Sequence, residues 1–105
     1  MAKNVNAIIN ADGTIRQQTG GIDSSKVRTG KGKYKLPFKP GFFKSTPYVS
    51  LTVMTNNNDC DGGTNRTISI SSVSANEVCV GIRKASEGNE RDDRPFTLSA
   101  FTPTA

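Results

Sequence analysis

Lys31, Lys33 and Lys35 stand at alternate positions in TGKGKYKLPF, with Gly32, Tyr34 and Leu36 at the remaining ones. An extended chain has a side-chain period of two, so one face carries three ammonium groups and the other an apolar set. Such a row has two uses. It guards an edge strand against sheet-to-sheet aggregation, or it meets an acidic partner. Tyr34, Phe38, Phe42 and Phe43 lie close by in the chain. Their spacing is not that of an RNA- or DNA-binding module, so nucleic acid is the least favoured partner.

A second pattern carries metal-binding residue types. Asn57, Asp59, Asp61 and Gly62 match the start of a calcium loop, in which alternate oxygen ligands precede a turn glycine. The position that should supply a bidentate glutamate is Ile68, and no helical pattern flanks the loop. Clustered Asn and Asp are also ordinary turn formers. Asn57, Asp59 and Asp61 are therefore weak metal candidates, and no cofactor is expected.

The inventory for catalysis is thin. The chain has no histidine, which removes the commonest general base. Cys60 and Cys79 lack an imidazole to activate them, and the pairs Asp59/Asp61 and Asp92/Asp93 fall in polar loops with no apolar pocket to raise a pKa. The expectation is a protein that is not an enzyme. The two thiols are expected to be free, with a Cys60–Cys79 disulfide as the alternative.

Charge is unevenly spread. Residues 1–47 carry nine basic groups against two acids, a net +7, and residues 48–105 carry five against seven, a net −2. The basic half is expected to face an acidic surface or simply to be solvated. The hydrophobic share is 33%, low for a folded domain, so the core is thin or burial is gained by association. No run of 18 apolar residues exists, so no membrane span is expected. The stretch MAKNVNAIINADG lacks the apolar centre of a signal peptide, which predicts synthesis in a cytoplasm without cleaved export.

The elements that position these groups read as strands. Residues 66–83, RTISISSVSANEVCVGIR, form two alternating arms around a Ser/Asn-rich connection over 71–76. Ile68, Ile70, Val78, Val80 and Ile82 are the expected inward set, and the opposite face, with Cys79, is expected against another subunit or sheet. YVSLTVM, residues 48–54, reads as a central strand. PFTLSAF, residues 95–101, reads as a last strand with Phe96, Leu98 and Ala100 inward and Phe101 outward. Asp12-Gly13 is a tight-turn dipeptide between Val5, Ile8, Ile9 and Ile15. Phe38 and one of Phe42 and Phe43 are expected to plug an irregular crossover between prolines. Residues 90–94 are expected to pair their charges internally or across an interface. No segment has helical period. The fold class predicted is all-β: a small antiparallel sandwich of six to eight strands over residues 26–105, preceded by an extended arm or hairpin over 1–25.

From Gly32 onward the order GKYKLPF, PYVSLTV, an Asn/Asp loop, NRTISISSVSANEVCVGIR and RPFTLSAF resembles the H-type lectin fold and related six-stranded sandwiches of bacteriophage fibres and capsids. The resemblance implies a homotrimer on a virion, made in the host cytoplasm: a capsid cement or decoration protein bound to the major capsid protein or another acidic protein surface. The partner-binding set would be Lys31, Lys33 and Lys35 with the arm residues Lys3, Arg16, Lys26 and Arg28, and Ile8, Ile9 and Ile15 as apolar anchors. Deleting residues 2–20 should then abolish attachment and leave a folded trimer. The alternative is a carbohydrate-binding trimer or fibre receptor-binding module, with its site near residues 56–65 or 87–94. The chain has no Trp, so sugar stacking would fall to Phe or Tyr.

Overall fold

The computed structural model describes residues 3–55, 65–85 and 90–103. These residues form strands β1 (Lys3–Ile9), β2 (Ile15–Gln18), β3 (Arg28–Gly30), β4 (Lys33–Pro37), β5 (Tyr48–Val53), β6 (Arg66–Val73), β7 (Glu77–Lys84) and β8 (Phe96–Thr102). They build two four-stranded sheets, ordered β2-β1-β8-β5 and β3-β4-β7-β6, with every ladder antiparallel. The all-β sandwich expected from alternation is therefore present. The described residues include no helix, so none is long and apolar enough to cross a membrane.

Alternation builds the core. Val5, Ala7 and Ile9 of β1 and Phe96, Leu98 and Ala100 of β8 share one buried cluster with Tyr34 and Leu36 of β4 and Val78, Val80 and Ile82 of β7. Each buried aliphatic or aromatic side chain contributes about 1.5–3 kcal/mol relative to exposure. Tyr34 meets Phe96 edge-on at 5.0 Å between ring centroids. Phe38 and Phe43 are both buried and pack edge-on at 4.8 Å, so the aromatic plug falls where the proline-punctuated crossover places it.

The Asp12-Gly13 turn forms as expected. Gly13 has φ 91° and its N–H donates to the Asn10 carbonyl at 2.9 Å, while Asp12 Oδ1 accepts from the Thr14 N–H at 2.9 Å. A side chain at Gly13 would meet Arg28 Cβ at 2.4 Å, so both backbone sign and space require glycine.

Several expectations are corrected. Of the arm or hairpin expected over residues 1–25, the described residues form the hairpin, β1 with β2, and it packs on its own domain. β1 pairs with β8 from Lys3↔Thr102 to Ile9↔Phe96, lies inside its sheet, and sends Val5 and Ile9 fully into the core. YVSLTV is an edge strand, not a central one, because β1 occupies the other side of β8. Conversely, the lysine row lies on an interior strand, since β4 is flanked by β3 and β7. Edge protection therefore does not explain it. Ile70 points inward but remains 39% exposed, because β6 is an edge and its register slips between Ile70 and Ser72. The connection after β6 shrinks to residues 74–76, closed by the Ser74 N–H donating to the Glu77 carbonyl at 2.9 Å.

Candidate functional site

Each sheet has an outer face, and the two differ in chemistry. On β3-β4-β7-β6 the outward positions form cross-strand rows. One row runs Lys33, Gly81, Ser69, and the next runs Lys35, Cys79, Ser72. Lys33 and Lys35 are exposed, while Tyr34 and Leu36 between them are buried, as the alternation requires. Lys31 is exposed in the turn that precedes β4. Arg91 joins this face through a backbone bridge between residues 83 and 91. Thr29, Lys33, Lys35, Ser71, Cys79 and Arg91 line a hollow of about 180 Å³.

The acids around this face are held elsewhere. Asp93 accepts from Arg28 Nε at 3.1 Å and the Gly32 N–H at 2.7 Å, and pairs with Arg28 Nη2 at 3.0 Å. Burial pushes its carboxyl up, but the Arg28 and Gly32 hydrogen bonds outweigh this and hold it below the usual carboxylate value. Asp92 is also held low, chiefly by the hydrogen bond from Arg66 Nε at 2.6 Å, with Arg94 Nε 3.3 Å away. The Tyr34 hydroxyl donates to the Ala11 carbonyl at 2.8 Å and lies 3.4 Å from Asp93 Oδ1. Burial, then the Asp93 charge, raises its pKa well above the phenol range. Glu77 is the acid on the outer face itself. It sits 3.6 Å from Lys35 Nζ and accepts from the free Cys79 thiol at 3.6 Å. Lys33 and Arg91 have no ion pair among the described residues.

The outer face of β2-β1-β8-β5 is neutral. Its rows run Asn4, Phe101, Tyr48; then Asn6, Ser99, Ser50; then Ile8, Thr97, Thr52, with Gln17 beside Ile8. A groove of about 380 Å³ lies over the last two rows, and no charged residue lines it. Ser99 Oγ donates to Asn6 Oδ1 at 2.8 Å, and the Asn6 N–H donates to Thr19 Oγ1 at 3.0 Å. At one end Tyr48 and Phe101 are 64% and 44% exposed, with ring centroids 5.3 Å apart.

The expected partner set does not gather on one surface. Lys33 and Lys35 come together. Lys3 Nζ lies 5.2 Å from the centre of the Phe42 ring. Arg16 Nε donates to Asn10 Oδ1 at 2.7 Å, and exposed Lys26 bridges Thr14 through its backbone. Arg28 is committed to Asp93. Ile8 faces the neutral groove, Ile15 packs on the core and Ile9 is fully buried within it. Ile9 therefore serves folding and is not a free anchor. Asn57, Asp59, Asp61 and Cys60 lie outside the described residues. Among the described residues no group of three metal-ligating side chains occurs.

Arg91 was expected only as part of the 87–94 segment, and Ser71 and Gly81 were not assigned to a site by sequence reasoning. The signal was Gly81, a glycine interrupting an otherwise regular strand, which marks close approach of another group. The groove residues carried a weaker signal: uncharged side chains at every outward position of YVSLTV. No protein-family model, no curated protein and no solved structure matches the chain.

Proposed function

We propose that the chain is a non-enzymatic attachment protein of the capsid cement or decoration type, which seats the basic face of β3-β4-β7-β6 on an acidic protein surface as a homotrimer. The observation that carries this is the outward row of Lys33 and Lys35 on an interior strand, joined by Arg91, while Asp92 and Asp93 are engaged by arginines. An interior strand has no edge to guard, and Lys33 and Arg91 have no ion pair among the described residues, which leaves them for a partner, while Lys35 is shared with Glu77. Exposed ion pairs contribute only about 0.2–1 kcal/mol each. Firm attachment then comes from several pairs and from threefold avidity. A low hydrophobic share and the exposed Tyr48, Phe101 and Ile70 are consistent with burial gained by association. The test is cosedimentation of the full chain with assembled capsid shells from the same source, beside a native mass measurement. Saturable, salt-sensitive binding lost in Lys33→Glu/Lys35→Glu is expected. Undiminished binding by that double variant, or a monomeric mass, overturns the reading.

A second reading, a carbohydrate-binding or fibre receptor-binding module, is favoured by the neutral groove and its aromatic end. Amide and hydroxyl side chains suit sugar hydroxyls, and the exposed rings suit the apolar face of a pyranose. This site differs from the loops expected from sequence. A glycan array with the full chain decides it: binding competed by free sugar and lost in Tyr48→Ala supports it, and silence removes it.

A further inference from the structure

On the outer face of β7, Gly81 carries no side chain, and Arg91 and two serines close over it beside a basic hollow. A Cβ at residue 81 would lie 3.6 Å from Arg91 Nη1, 3.7 Å from Ser71 Oγ and 3.9 Å from Ser69 Oγ. Lys33 is the register partner of Gly81 on the β4 side, and Ser69 is its partner on the β6 side. Thr29 and Lys35 complete the rim of a hollow of about 180 Å³. Among the described residues no carboxylate lines this hollow, although Glu77 contacts two residues that do, Lys35 and Cys79.

We infer that this hollow binds one tetrahedral oxyanion, the sulfate or phosphate group of a monoester, through Arg91, Lys33 and Ser71. The inference rests on the reading of this face as an attachment surface and specifies the acid that it recognises. The donors arrive from three directions: an ammonium from β4, a hydroxyl from β6 and a guanidinium from the segment that follows β7. A carboxylate presents two oxygens in one plane and satisfies a single fork. A tetrahedral monoester presents three free oxygens as a tripod, each within reach of a different donor.

The experiment is an NMR titration of the full chain with sodium sulfate and, separately, sodium phosphate, against sodium acetate and sodium chloride at matched ionic strength. Saturable shifts centred on Gly81, Ser71 and Arg91 with the two tetrahedral anions are expected, and none of comparable size with acetate. Arg91→Gln should weaken binding about tenfold, the loss of one charge-assisted contact. Arg16→Gln should leave it unchanged. A phosphate affinity that climbs as rising pH removes the second proton of phosphate assigns a phosphate ester, and a preference for sulfate with no pH dependence assigns a sulfate ester. Equal shifts with acetate, shifts spread without saturation over all lysines, or full binding by Arg91→Gln overturn the inference. Capsid cosedimentation lost in Lys33→Glu/Lys35→Glu without saturable sulfate or phosphate binding removes this inference and keeps the attachment reading. Saturable anion binding without cosedimentation does the reverse.

Discussion

The two outer faces are built on the same plan and have opposite chemistry. Both place small polar residues on the outward positions of antiparallel strands: Ser69 and Ser72 on one, Ser50, Thr52, Thr97 and Ser99 on the other. What differs is one strand. β4 contributes Lys33 and Lys35 to the first face, and β1 contributes Asn4, Asn6 and Ile8 to the second. Inward, the two strands are alike, each sending aliphatic or aromatic side chains into one core. In this small sandwich the core is shared, and each face is set by the outward residues of an interior strand. A charge change on one face should therefore leave the other face and the fold nearly untouched, whereas a change beneath them should damage both.

The largest effect follows from removing what the faces share. Deleting residues 3–9 takes out the strand between β2 and β8 together with Val5, Ala7 and Ile9. The chain should lose cooperative thermal unfolding, measured by circular dichroism. A folded deletion variant would show that this strand is dispensable to the sandwich.

Next is Lys33→Glu/Lys35→Glu, which should abolish attachment to an acidic lattice and shift the denaturation midpoint little, because both side chains are exposed. If ligand binding in the neutral groove changed as well, the two faces would not be independent.

Acid should then act on the network under the basic face. Asp92 and Asp93 have folded pKa values below the ordinary value, so their stabilisation is full above about 3.9, the unfolded value, and is lost as pH falls through the folded values. Asp92→Asn and Asp93→Asn should each cost on the order of 1 kcal/mol at neutral pH and flatten the acid limb of a stability profile. An unchanged acid limb in both variants would mean that other carboxylates govern it.

Tyr34→Phe removes the hydrogen bond to the Ala11 carbonyl that ties β4 to the β1–β2 turn, and should cost about 0.5–1.5 kcal/mol in chemical denaturation. Smallest of all, Tyr48→Ala should alter stability by less than about 1 kcal/mol, because its ring is exposed and contacts Phe101. A larger loss would show that this aromatic pair belongs to the fold.

Much of the architecture was legible in the sequence because alternation is a local signal. Val78, Val80 and Ile82, and Phe96, Leu98 and Ala100, point inward as their spacing demands. Strand order is not local. YVSLTV has the composition of a buried strand and is an edge, while KYKLP looks like a guarded edge and is interior. The charged segment 90–94 shows the same limit. Arg94 and Asp92 pair within it, as expected, but the closest charged partners of its two aspartates are Arg66 and Arg28, which are remote in the chain. The basic hollow was half legible: the lysine period announced Lys33 and Lys35, but nothing near Arg91 or Ser71 in the chain says that they line one hollow with them.

The pairing of β8 between β1 and β5 also sets the order of events during synthesis. Until residues 96–102 leave the ribosome, the sheet β2-β1-β8-β5 has a gap at its centre, and β1 and β5 have no common neighbour. Within this sheet β1 is made before β8 and must wait for it. Contacts of such long sequence separation slow folding to about the millisecond-to-second range. The β1–β2 hairpin, with its Asp12-Gly13 turn, is then a waiting unit, docked when β8 is inserted beside it.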